Sequence, residues 1–141
     1  MESTAPGWLK ANWDASNEKN QGRMGFGVVV RNERGEVITA QCQSALGLFD
    51  PAMAEARAAL LVVHLCREHG FIRVHFEGDA QIVVNAINSQ EVYWSRMGLL
   101  VDDLRGEIQT IQPWRMSFVN KKGKSVAHVL SKFACQNLIS K

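Results

Sequence analysis

An α/β fold, a mixed sheet covered by helices, is what this sequence predicts. Three strand-like runs fill the first 45 residues with no helical pattern among them, and beyond Asp50 helical periodicities alternate with short strand runs. The resulting order, βββαβααβα, places helices against a sheet that is antiparallel at its start. No linker, internal repeat or low-complexity stretch divides the chain, so residues 1–141 are expected to form a single domain.

The elements follow in order. "WLKANWDAS" (8–16) alternates as a strand, "GFGVVVRN" (25–32) is a continuous apolar run suited to a buried strand, and "GEVITAQCQSAL" (35–46) makes a third. The turn Glu33-Arg34-Gly35-Glu36 joins the last two as a hairpin, with Gly35 able to take a positive φ. Asp50-Pro51 supplies an N-cap and a proline at the first helical position, opening a helix from about Pro51 to His69 that Gly70 ends. "IRVHFEGD" (72–79) is a strand, and "AQIVVNAINSQ" (80–90) is a short helix with Ile82, Val83, Ala86 and Ile87 on one face. "SRMGLLVDDLRGEIQTI" (95–111) is a helix, "WRMSFVN" (114–120) the final strand, and "SVAHVLSKFACQNLIS" (125–140) the last helix.

Composition narrows the class. With 141 residues and 46% apolar content, the chain can bury about 68–70% of its unfolded surface. It lacks an apolar run of 18 residues, and its N-terminus has no basic-then-apolar signal pattern, so a soluble intracellular protein is expected, with nuclear and cytoplasmic locations both open. Cys42, Cys66 and Cys135 are odd in number and widely spaced, which argues for buried thiols over disulfides or a zinc knuckle. The net charge of +2 is uneven: six basic and no acidic residues lie from Ile111 to Lys141, leaving 10 basic and 14 acidic residues, net −4, in the other 110. That basic end is either an anion-binding face or an ordinary solvated surface.

Three carboxylates stand where core or strand-end residues belong. Arg57, His64, Arg67 and Glu68 mark the solvated side of the long helix, whereas Glu55 shares its stripe with Ala52, Ala58, Ala59 and Val62. A carboxylate on that face is either paired, protonated or bound to a cation, or it snorkels to water near the helix start. Asp14 and Asp79 end the first and fourth strands; the structural alternatives are a turn-forming Asx residue and a helix N-cap. In this element order the three can meet at one point of a sheet edge. Three such charges together are stable mainly around divalent cations, and oxygen ligands favour magnesium or manganese over zinc.

"NWDAS" with "GFGVVVRNERGEVI" behind it, "PAMAEARAALL", "VHFEGDAQIVVNAIN" and "SVAHVLSKFA" resemble, in order and spacing, the type 1 ribonuclease H-like domains of plant retroelement-derived proteins. The resemblance spans Leu9 to about Leu138. It implies a ribonuclease H-like fold, a five-stranded mixed sheet of three antiparallel strands then two parallel ones, flanked by helices. It further implies that Asp14, Glu55 and Asp79 bind two magnesium (or manganese) ions, with position 128 matching a fourth acidic ligand. Here that position is His128, whose imidazole can ligate a metal or accept a proton but cannot supply the negative charge. The alternative is a histidine that simply packs near the start of the last helix. The implied activity is two-metal hydrolysis of the RNA strand of an RNA–DNA hybrid. Ser16, and Lys121, Lys122 and Lys124 of the basic end, are expected to contact nucleic acid.

The chain also departs from that family's pattern. Asp14-Ala15-Ser16 and Asp79-Ala80 stand where many members have Asp-Gly-Ser and Asp-Ser; Pro51 and Ala52 replace polar residues that touch RNA; "NKKGKS" replaces a loop that often carries histidine or asparagine; and Ser89 to Tyr93 leaves no room for a basic insertion. These departures keep a second expectation open, a non-catalytic module of the same fold that binds nucleic acid or a protein partner. A related nuclease acting on other strands shares the metal site. Among the tryptophans, Trp13 and Trp114 are expected in the core, and Trp94 has the better claim to exposure.

Overall fold

In the computed structural model, which describes residues 5–47, 50–89, 96–120 and 125–137, five strands form one sheet in the order β3-β2-β1-β4-β5. Strands β1 (Leu9–Glu18), β2 (Arg23–Arg31) and β3 (Val37–Leu46) run antiparallel; β4 (Val74–Gly78) and β5 (Trp114–Phe118) continue the sheet in parallel from β1. The helices are α1 (Pro51–Glu68), α2 (Gln81–Asn88), α3 (Arg96–Ile108) and α4 (Val126–Asn137). None of the described helices is long and apolar enough to cross a membrane.

Local chemistry sets these boundaries. Asn32 organises the β2–β3 turn, its side chain accepting from the amides of Arg34 and Glu36, while Gly35 sits at φ 81°. Asp50 caps α1 by accepting from the Met53 amide at 2.8 Å, Pro51 starts the helix, and Gly70 at φ 68° turns the chain after the His69 cap.

Two layers cover the sheet. One face carries Ala11, Trp13, Phe26, Val28, Val30 and Phe76 against α1, α2 and α3, and this is the main core. The other face of β2 presents Gly25 and Gly27, and α4 lies directly on them. A β-carbon at Gly27 would sit 2.1 Å from the Ala127 carbonyl oxygen, and one at Gly25 2.0 Å from that of Ser131. The glycines of "GFGVVV" are therefore the seat of α4, which the apolar reading of that strand does not reveal. Gly27→Ala is expected to cost at least about 2 kcal/mol, because the helix backbone itself must shift. A urea midpoint within error of the parent would refute the close approach.

Several expectations are corrected. Asp14 does not end β1: the strand continues to Glu18, with Asp14 paired to Gly27, and only the parallel pairing with β4 stops, at Asn12. On α2 the buried residues are Val83, Val84, Ala86 and Ile87, and Ile82 is exposed. The apolar run 82–84 allows two faces to be drawn, and packing on α1, α3 and β5 selects the one containing Val84. The solvated stripe of α1 is partly engaged: Arg57 lies over the Phe26 ring, and His64 and Arg67 reach Glu107 of α3. Cys66 and Cys135 are buried, and burial pushes the Cys66 thiol up to about 12, but Cys42 is only half-buried. Trp13 is core, Trp114 is half-buried against it, and Trp94 lies outside the described residues.

Candidate metal centre

Asp14, Glu55 and Asp79 come together, each offering an oxygen within 4.8 Å of the others. Three elements position them. Asp14 sits two residues beyond the last β1–β4 pair, where the two strands part. Asp79 directly follows β4, beyond Gly78, whose missing side chain lets the Trp13 ring lie against the backbone; a β-carbon there would be 2.2 Å from the Trp13 ring. Glu55 projects from the first turns of α1 among the buried Ala54, Ala56, Ala58 and Ala59.

Glu55 does not snorkel. Its Oε2 is buried without a hydrogen-bond partner among the described residues. Burial raises its pKa from the ordinary 4.5 to about 8, with further upward pushes from Asp14 and then Asp79, against a hydrogen bond from the Ala15 amide that favours the charged form. Without a cation, the cheapest way to keep this carboxyl in place is to leave it protonated and hydrogen-bonded to Asp14. Asp79 is not the N-cap of α2: Ala80 occupies that position. Asp14 is not an Asx-turn residue, since it lies within a paired strand.

His128 touches this cluster through Asp14, its Nδ1 lying 2.7 Å from Asp14 Oδ2. The first turn of α4 holds it there, with Ser125 Oγ accepting from the His128 amide at 3.1 Å. Ser131, which the sequence reading did not single out, stands one turn further on and is fully buried. Its hydroxyl lies 2.7 Å from Ser16 Oγ and 3.4 Å from Asp14 Oδ2. The available signal was its spacing, three residues after His128 on the same helix. Ser16 is thus brought to the site's edge but spends its hydroxyl on Ser131. Lys121, Lys122 and Lys124 lie outside the described residues. Behind the carboxylates, Lys10 and Asn12 converge on the buried Glu77, at 3.7 Å from its Oε2 and 3.2 Å from its carbonyl oxygen, an internal polar contact that strand alternation alone does not predict.

Residues 12–134 match the family model described as reverse transcriptase-like. The chain belongs to this family. Its fold is ribonuclease H-like. Similar solved structures include RNase H1 from the halophilic archaeon Halobacterium salinarum NRC-1 (19% identity, TM-score 0.75, covering 91% of this chain and 97% of that one). The N-terminal RNase H domain of Rv2228c from Mycobacterium tuberculosis is 17% identical at TM-score 0.79, with 90% and 92% covered. LC11-RNase H1, solved in complex with an RNA/DNA hybrid, is 15% identical at TM-score 0.78, with 90% and 96% covered. At these identities the likeness is one of fold. No curated protein matches the sequence significantly.

The donor set fits hard divalent cations. All three clustered ligands are carboxylates, and the partnerless buried Oε2 of Glu55 is the kind of atom a cation would satisfy. His128 offers a consequence that can be measured. His128→Asp would place a fourth carboxyl beside Asp14 in place of a hydrogen-bonding ring. It is expected to lower metal-free stability by about 2 kcal/mol and to enlarge the melting-temperature gain on adding magnesium or manganese. Equal gains in the two proteins would separate position 128 from the metal-binding set.

Proposed function

We propose that this chain is a divalent-metal-dependent nuclease of the ribonuclease H type, cutting the RNA strand of RNA–DNA hybrids. The observation that carries the proposal is the meeting of Asp14, Glu55 and Asp79 around a buried, partnerless carboxylate oxygen, in a reverse transcriptase-like family member whose fold is shared with RNase H1 structures. The RNA/DNA hybrid bound by the similar LC11-RNase H1 supports the choice of substrate. In the proposal Asp14, Glu55 and Asp79 hold two magnesium or manganese ions, which when bound supply Lewis-acid charge at the scissile phosphate and lower the pKa of water.

The chain's own residues have separable tasks. The Ala15 amide orients Glu55, and Ser131 and His128 hold Asp14 in place. With Nδ1 donating to Asp14, a neutral His128 ring carries its lone pair on Nε2, a nitrogen able to accept a proton. Ser16, Lys121, Lys122 and Lys124 are assigned to nucleic-acid contact, where cations against phosphates supply affinity and the 2′-hydroxyls distinguish RNA. Residues 1–141 are taken as one domain. The protein is placed inside the cell, where hybrids occur and the thiols of Cys42, Cys66 and Cys135 stay reduced.

The Asp14–His128 hydrogen bond also favours a second reading, in which the fold binds nucleic acid or a protein partner without cutting, because an imidazole stands where the family resemblance implies a fourth carboxylate. One experiment separates them. Labelled RNA–DNA hybrid, double-stranded RNA and double-stranded DNA are incubated with the protein in magnesium, manganese or chelator. Metal-dependent cutting confined to the RNA of the hybrid is expected. Tight hybrid binding with no cutting in either metal would establish the second reading instead.

A further inference from the structure

Strand β3 forms one margin of the sheet, and its outer side has no neighbour among the described residues. Sheet margins are usually blunted by charges, prolines, bulges or short length. This one is ten residues long, "VITAQCQSAL", without a charged residue or a proline; its one irregularity is a register shift at Ile38, which leaves residues 39–46 regular, and Val37, Ile38 and Leu46 are 51%, 44% and 69% exposed. Beside it, α4 turns a second apolar surface outward. Ala127, Ser131, Ala134 and Cys135 face the sheet, while Val126, Val129 and Phe133 are 38%, 59% and 51% exposed. At about 100° per residue, Val126 and Phe133 fall on the flank opposite His128. His128 reaches toward β1, and Ala134 accepts from Ser44 of β3, so that flank borders the open margin.

We propose that this chain forms a two-fold dimer by pairing β3 with the β3 of a second copy, antiparallel, across this margin. A separate peptide strand would satisfy the margin yet leave the helix flank bare. A second copy covers both. A two-fold axis perpendicular to the sheet joins the two strands and keeps both α4 helices on the same face. With α4 seated over β2, the two helices stand roughly three strand spacings apart, or about 14 Å. A helix is about 10–12 Å across with its side chains. The large residues of the flank, Phe133 above all, close the remaining gap. Neither β3 nor the flank residues Val126 and Phe133 carry charge, so the paired surfaces themselves bring no like charges together.

The symmetry also dictates the register. Gln41 and Gln43 lie opposite Val28 and Phe26 on the α1 side of the sheet; Cys42 and Ser44 lie opposite Gly27 and Gly25 on the α4 side. Directly paired residues must share a face. The axis therefore passes through a residue and not between two. Centring on Cys42 sets Ala40 against Ser44, Gln41 against Gln43, and Cys42 against its own copy, with Leu46 reaching the bulged segment at Ile38. Centring on Gln41 would leave the most exposed residue, Leu46, beyond the pairing. The metal centre, which lies at β1 and β4, stays open in both copies.

Light scattering coupled to size exclusion, from about 10 to 200 μM, is expected to give twice the 15.7 kDa chain mass. Directly opposed residues have Cα atoms about 4.5–5.5 Å apart, a separation a disulfide can bridge. Mild oxidation should therefore link the copies through Cys42, as mapped by non-reducing peptide mass spectrometry, and Cys42→Ser should abolish the link. Phe133→Glu, at an exposed position, is expected to weaken dimerisation at least about tenfold while leaving the circular dichroism unchanged, and to lower the urea midpoint only at concentrations where the parent is dimeric. A monomer throughout the concentration range would overturn the proposal. So would a dimer that neither links through Cys42 nor responds to Phe133→Glu, since its interface would lie elsewhere.

Discussion

In chelator, the stability of this protein is expected to fall by a few kcal/mol between pH 5 and pH 8, and Glu55→Gln is expected to remove most of that slope. The native pKa of Glu55 is about 8 against an ordinary 4.5. Between those values the native chain keeps a proton that the unfolded chain releases, so raising the pH draws the equilibrium toward the unfolded state. The stabilisation is complete below about pH 4.5 and is lost as pH rises through about 8. The charged groups facing Glu55 are Asp14 of β1 and Asp79 after β4, with His128 of α4 reached through Asp14, and both carboxylates act in the same direction. Magnesium or manganese should restore stability above pH 7 by mass action, by roughly 2.7 kcal/mol at a hundredfold excess over Kd. Urea midpoints at four pH values, with and without metal, measure both effects. A Glu55→Gln variant with the parent's slope would mean that other groups govern the pH dependence.

Asp79→Asn should abolish this metal response and lower hybrid cleavage by at least about 10²–10³-fold, the scale on which one preorganised electrostatic contact contributes. Asp79 is exposed and lies outside the N-cap position of α2, so the nearly isosteric substitution should leave the fold intact. In chelator hybrid binding should persist, because removing a negative charge does not weaken attraction to phosphates. The readout is therefore a fall in single-turnover rate in metal at unchanged or tighter binding in chelator. Parent-level cleavage would remove Asp79 from the catalytic group and with it the three-carboxylate site.

The element order was legible because each boundary has local chemistry: the Asp50 cap and Pro51 start α1, Asn32 and Gly35 shape the hairpin, and Gly70 ends the helix. Glu55 was legible as an anomaly because helical periodicity places it among alanines whether or not the sheet is known. The face of α2 was not, since Ile82, Val83 and Val84 satisfy two periodicities equally well and only packing chooses. Nor was the glycine seat of α4, because a glycine read along β2 gives no sign of which backbone crosses it.

By itself, then, the sequence determined which segments become strands and helices and which carboxylates are out of place, because capping, turn chemistry and periodicity act over a few residues. Tertiary structure alone decided that Asp14 stands inside a strand where β4 leaves it, that His128 and Ser131 close on it from 114 and 117 residues away, and that burial raises the pKa of Glu55. Those outcomes depend on desolvation and on distances between separate elements. No local pattern encodes either, since both arise only when α1 and α4 settle on opposite faces of one sheet.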